Sequence, residues 1–186
     1  MTCAAVQNEE EHATTDYEAA LASFERAAAR TILTCSDVSP DDWVAHPRPG
    51  KHSMSEVLEH MSLANDLFRS VLDRFRTSMA RTQPYSSLED DEIAHLFERV
   101  HEPPGDADPS GTWTDLHEAL RRFQDSAAGV AACADLGDAH MRIRGASHPL
   151  FGAMDGVQWM LFAAAHTERH RSEIIGVKRI LAGRAP

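Results

Sequence analysis

Apolar residues return at steps of three and four along most of the chain, the period of a helix with one buried face. Tyr17, Leu21, Phe24, Ala28, Thr31 and Ile32 make the first such stripe, capped by Thr15 or Asp16 and closed by Ser39-Pro40-Asp41-Asp42. Trp43 to Gly50, with prolines at 47 and 49, reads as a loop. Ser53 and Glu56 have the spacing of a capping box. Behind them Val57, His60, Met61, Ala64, Leu67, Phe68, Val71, Leu72 and Phe75 share the broad face of a second helix ending near Met79. A third helix starts near Thr112 or Thr114 and carries Leu116, Leu120, Phe123, Ala127, Val130 and Ala134. The last pattern runs from about Met154 to Leu181, ahead of Gly183 and Pro186.

The connections differ in kind. Residues 80–111 hold four prolines and the acidic run Glu89-Asp90-Asp91-Glu92, with a short helix expected at 88–100. That stretch is too long for a hairpin between neighbours and is expected to cross the bundle or cover one end. Residues 136–152, with three glycines and Pro149, read as a loop, and no convincing strand is visible. The pattern predicts an all-α fold, a four-helix bundle with a long connection between helices 2 and 3. A flexible N-terminus at 1–12 and a single domain over 13–183 complete the division.

Composition sharpens this picture. Leu, Ile, Val and Phe together are only 36 of 186 residues, while alanine alone supplies 28. With a net charge of −11, so few large apolar residues would suggest disorder, were they not organised into helical stripes. A small-residue core suits closely packed helices. The acidic balance argues against non-specific nucleic-acid binding and against adhesion to an anionic membrane, both of which need clustered positive charge. Three cysteines, Cys3, Cys35 and Cys133, give neither a disulfide framework nor a thiolate metal site. MTCAAVQNEEEH lacks the basic and apolar regions of a signal peptide, and no apolar run is long enough for a membrane span, so a cytoplasmic location is expected.

Eleven histidines are candidates for chemistry, and most read as surface residues. His12, His46, His52, His95 and His101 fall in terminal, loop or acidic segments, and His117 is expected to turn outward. His166 and His170 differ. They stand four apart in HTERH, one helical turn from each other, on the stripe Trp159, Phe162, Ala163, His166, His170, Glu173 and Val177. Two imidazoles in a buried seam need partners: a shared metal is one solution, and hydrogen bonds to backbone or carboxylates are another. Thr167 occupies the glutamate slot of HExxH, which disfavours a zincin peptidase. His60 adds a third inward histidine on another helix, matching a catalytic site with three protein nitrogens and an open position. Arg169 and Arg171 face away from that stripe and read as solvated.

The stretch GKHSMSEVLEHMSLA resembles the second-helix motif of the DinB/YfiT-like family, and HPLFGAMDGVQWMLFAAAHTERHRSEI resembles its closing motif. The resemblance implies a left-handed four-helix bundle, often dimeric, with a divalent metal held by His60, His166 and His170. Family members of known activity include thiol-dependent S-transferases and isomerases that use a low-molecular-weight thiol such as mycothiol or bacillithiol. Two positions depart from the family. His52 stands where a tryptophan is frequent, and Glu173 stands where glutamine is frequent.

The reading that follows is a metal-dependent enzyme acting on a small-molecule substrate, a thiol S-transferase, with metal-dependent hydrolase as the alternative. A non-catalytic metal-binding or dimerising bundle is the rival. Zinc, nickel or iron suits imidazole ligands. Glu173, one turn beyond His170, is the candidate orienter or general base, against a plain solvated or ion-paired carboxylate. The 80–111 and 136–152 segments are expected to line the substrate pocket.

Overall fold

The computed structural model describes residues 6–79, 88–98, 107–133, 137–149 and 151–183. Four long helices carry the fold: α1 (Val6–Cys35), α3 (Met54–Arg74), α5 (Leu116–Ala131) and α7 (Gly156–Ala182). Between them lie the short helices α2 (Pro40–Val44), α4 (Asp90–Ala94) and α6 (Asp138–Arg142), and a hairpin of β1 (Gly145–His148) and β2 (Gly152–Asp155). The helical periods therefore report the fold correctly. Trp43 and Val44 belong to α2 rather than to a loop, and α3 ends at Arg74 rather than near Met79. Three further details differ. Helix α1 begins at Val6, ahead of the Thr15/Asp16 cap; Ser39 does not merely close α1 but caps α2, accepting from the Asp42 N–H at 3.2 Å. The 136–152 segment holds α6 and the hairpin rather than a bare loop. Cys3, His101 and Ala134 lie outside the described residues, as does the side chain of His12.

Helix α3 starts where the capping box requires. Ser53 Oγ accepts from the Glu56 N–H, and Glu56 Oε2 accepts from the Ser53 N–H at 2.8 Å. Asp155 and Gln158 make the same reciprocal cap at the start of α7.

Helices α1 and α7 pack against each other, α7 against α3, α3 against α5, and α5 against α1. Hydrogen bonds along the seams fix their directions. Ser55 Oγ donates to the Trp113 carbonyl at 2.6 Å, Asn65 to Ser126 at 3.2 Å, and the Cys133 thiol to Asp73 at 3.6 Å. Start meets start and end meets end, so α3 and α5 run parallel. Lys178 Nζ donates to the Thr34 carbonyl at 2.8 Å, so the C-terminal parts of α7 and α1 also lie together. Helix α7 runs against α3, with His166 beside His60 and Trp159 beside Phe68. The order is up, down, down, up.

This arrangement explains the long connection. Parallel neighbours cannot share a hairpin: the chain must travel back along the 21-residue α3, about 30 Å, before α5 can begin. Of the connection, residues 88–98 and 107–115 are described. Its helix α4 and the 3₁₀ turn Leu96–Glu98 lie on α7. It is pinned at its far end by Trp43 Nε1 and Ser55 Oγ, both bonded to the Trp113 carbonyl. Buried alanines at 20, 27 and 28 on α1 and at 163 and 164 on α7 let those two helices approach closely, which is where much of the alanine content is used. Among the described residues, no helix is long and apolar enough to cross a membrane.

Candidate metal centre

His60 projects from α3 two turns beyond the capping box, and His166 and His170 project from the middle of α7. Opposed helices bring the three rings together. Centroid separations are 5.3 Å for His60–His166, 4.6 Å for His60–His170 and 4.5 Å for His166–His170. One nitrogen from each lies within 4.8 Å of the other two, and the Nε2 atoms of His60 and His166 are 3.3 Å apart. His166 and His170 are buried, His60 partly so.

The far side of two rings is engaged by the protein. His60 Nδ1 lies 2.8 Å from the Ala107 carbonyl, an acceptor only, so this nitrogen carries the proton and Nε2 presents a lone pair to the centre. His170 Nδ1 lies 3.0 Å from Glu173 Oε2, which fixes the same tautomer. Its Nε2 is then a buried acceptor with no hydrogen-bond partner. Lone pairs converging in a buried space repel unless a proton or a cation lies between them. The donor set fits a divalent metal: three imidazoles, two of them, His60 and His170, oriented from behind by a carbonyl and a carboxylate.

Glu173 is neither a free nor a purely ion-pairing carboxylate, since one oxygen is committed to His170. That bond holds its pKa below the ordinary glutamate range, with burial acting the other way, so it is ionised at neutral pH. Glu56, by contrast, serves only its cap and a contact with His46, whose Nδ1 is 3.5 Å away. His52 is exposed and outside the cluster.

The walls are aromatic. Phe68, Phe97 and Phe162 stand 5.4, 5.7 and 6.4 Å from the His166 ring. Phe97 comes from the long connection, and His148 and Phe151 of the hairpin region, stacked on each other at 4.6 Å, lie 5.1 and 5.5 Å from Phe162. The long connection thus supplies a ring beside His166, and the hairpin region supplies rings behind Phe162. Trp159 is a core residue whose Nε1 donates to the Ala146 carbonyl at 3.1 Å.

Two residues that helical periodicity passes over also belong here. Glu59, 3% exposed, accepts from the Ser110 and Gly111 N–H groups, each at 3.0 Å, and so anchors the strand of chain that brings Ala107 to His60. The glutamate preceding a ligand histidine was the available signal. Arg169 does not point into solvent as its wheel position suggests: it is partly buried, with its guanidinium over the Phe97 ring at 5.6 Å. Arg171 is likewise partly buried and paired with Glu168.

Among the described residues, neither cysteine is a thiol nucleophile. Burial pushes the Cys35 thiol up to about 12, and burial with the adjacent Asp73 pushes Cys133 up to about 11. Both stay protonated at neutral pH.

Comparison with known proteins agrees with the geometry. The family model of the DinB superfamily matches residues 23–174. Among solved structures, the four-helix bundle protein TT2238 superposes with a TM-score of 0.59 at 19% identity, covering 86% of this chain and 98% of that one. YfiT from Bacillus subtilis, described as a probable metal-dependent hydrolase with an unusual four-helix bundle topology, gives 0.58 at 16% identity, covering 89% and 87%. No curated protein sequence matches the chain.

Proposed function

Because this chain belongs to the DinB superfamily, we propose that His60, His166 and His170 hold one divalent metal ion and that the protein is a metal-dependent hydrolase. The observation that carries the reading is the buried, unpartnered Nε2 of His170, aimed with the other two rings into one small space. When bound by neutral imidazoles, a dication supplies undiminished Lewis acidity, polarising a substrate carbonyl and acidifying water or a thiol. Everything else falls to the chain's own residues. The Ala107 carbonyl and Glu173 hold the proton on Nδ1 of His60 and His170, keeping both rings in the tautomer that can ligate. Phe68, Phe97 and Phe162 exclude water from the His166 side, so charge at the centre is felt in a medium of low polarity. Glu173 acts through His170 as a positioning residue, its second oxygen free to accept a proton from the reacting group.

Water is the nucleophile that such a centre recruits without further machinery, and the description of the Bacillus subtilis neighbour favours it. The thiol S-transferase reading needs a thiol carrier, and it is kept as an outcome of the test. Untagged protein purified without added metal is assayed by elemental mass spectrometry beside His60→Ala, then supplied with activated esters and amides with and without a small thiol. About one equivalent of metal in the wild type, lost in the variant, with turnover that needs metal and no thiol, supports the hydrolase. Turnover only with added thiol makes it the S-transferase. No metal in either protein, with unchanged thermal stability on adding zinc or nickel, overturns the metal centre and leaves the partner-binding bundle.

A further inference from the structure

Four arginines are partly buried among the described residues, and three of them are bonded. Arg142 bridges Asp90 and Asp155, Arg144 donates to the Ser78 carbonyl at 3.0 Å, and Arg171 pairs with Glu168. Arg169 is the exception. Among the described residues it makes no hydrogen bond or ion pair, its Nε is buried without an acceptor, and Glu173 feels its charge without bonding it. A guanidinium is always charged and carries five donors, so leaving it without an anion in a partly desolvated place is costly unless something arrives to meet it.

Its position suggests what arrives. Arg169 immediately precedes His170, and its guanidinium lies over Phe97, the same ring that faces His166 at 5.7 Å. The ring face holds the cation by its quadrupole and leaves the N–H edge for another partner. Glu173, the carboxylate that feels the Arg169 charge, already accepts from His170 Nδ1 with one oxygen, and Glu59 is taken up by the Ser110 and Gly111 N–H groups. A dication on the three histidines would add to the Arg169 charge and draw an anion to this spot, in a chain whose net charge is otherwise −11. A planar carboxylate matches the forked N–H donors better than a single point anion does.

We propose that Arg169 anchors a carboxylate group of the substrate, beside the three-histidine centre where the reacting group of the same molecule is held. This rests on the metal-centre reading above and adds the substrate class, carboxylate-bearing compounds. A purely structural Arg169 would only pin the 3₁₀ turn through Phe97.

The test uses full-length protein loaded with Co²⁺, whose visible absorption reports what joins the metal. Wild type, Arg169→Gln and Arg169→Lys are titrated with acetate and with malonate, succinate and glutarate. The expected result is one Co²⁺ per chain and similar acetate affinity in every protein, with at least one dicarboxylate bound about tenfold or more tightly than acetate by the wild type. That preference disappears in Arg169→Gln, while Arg169→Lys, which keeps the charge and loses the fork, retains part of it. Equal dicarboxylate preference in wild type and Arg169→Gln overturns the proposal, and lower melting temperature with unchanged preference assigns Arg169 to the turn alone. If Arg169→Gln does not fold, full preference in Arg169→Lys overturns it and reduced preference supports it. If no protein binds cobalt, the metal reading is what has failed. Succinate binding by metal-free wild type, followed calorimetrically and abolished in the variants, then supports the anion anchor, and its absence or equality overturns it.

Discussion

In His170 the two ring nitrogens differ: Nδ1 donates a hydrogen bond to Glu173 and Nε2 is left as a buried lone pair. Removing the acceptor frees the ring to change tautomer and to rotate. Glu173→Ala is therefore expected to weaken metal binding by roughly tenfold to a hundredfold without removing a ligand. Glu173→Gln is expected to cost less, because its amide oxygen can take the same N–H. Competition with a chromophoric chelator measures both, and equal affinity in all three proteins would show that the His170 orientation comes from packing. The histidines themselves were legible in the sequence because each puts a polar ring where the helical period asks for an apolar one. Arg169 was not. Periodicity within α7 assigns it to solvent, and only the return of a segment some seventy residues earlier, carrying Phe97, covers that side of the helix.

Helix α7 begins under an ionic clamp that joins three elements. Arg142 of α6 bonds Asp90 of α4 at 2.6 Å and Asp155, the cap of α7, at 3.1 Å. Gln158 adds a bond to the Leu88 carbonyl at 2.8 Å, so the start of the acidic segment is fastened to the start of the last helix. Burial raises the Asp155 pKa, while the bond from Arg142 lowers that of Asp90. The Asp90 contribution is present above the ordinary aspartate range and is lost as pH falls through its lowered value. Asp155 works oppositely, favouring the folded state below its ordinary value and opposing it as pH rises through the raised one. Arg142→Met leaves both carboxylates without a cation. We expect it to cost about 2–3 kcal/mol at neutral pH, toward the low end for a broken pair because Asp90 is 38% exposed and screened by solvent. The deficit should narrow as pH falls from 7 toward 4, and urea denaturation at several pH values checks both size and slope. A deficit that widens on acidification would contradict the assignment. This end of the molecule was the least readable part of the sequence. The paired strands read Gly-Ala-Ser-His and Gly-Ala-Met-Asp, without a β-branched residue between them, and are held by their neighbours rather than by their own propensity.

At the scale of the whole molecule, the three histidines come from two antiparallel helices that also form one seam of the bundle, so the proposed metal would couple occupancy to stability. Metal at a hundred times its dissociation constant adds about 2.7 kcal/mol to the folded state. For a domain of this size that corresponds to a rise in melting temperature of roughly 5–10 °C. The expected observation is such a rise on adding zinc or nickel to metal-free protein, absent in His166→Ala; an equal rise in the variant would place the stabilising metal elsewhere. Helix number, length and the two motifs were readable from local pattern. The directions of the helices were not, because an up-down-down-up order depends on which seams close.

The two ligand-bearing helices also stand far apart along the chain: 106 residues separate His60 from His166. A ribosome delivers them in that order, at about 5–20 residues per second, so His60 emerges several seconds before its partners. During that interval the nascent chain offers a lone imidazole, with no chelate to hold an ion. An aborted product that stops before α7 has the same defect. On the proposed reading, metallation would become a record of completed synthesis, because an unfinished copy has only one of the three histidines in place.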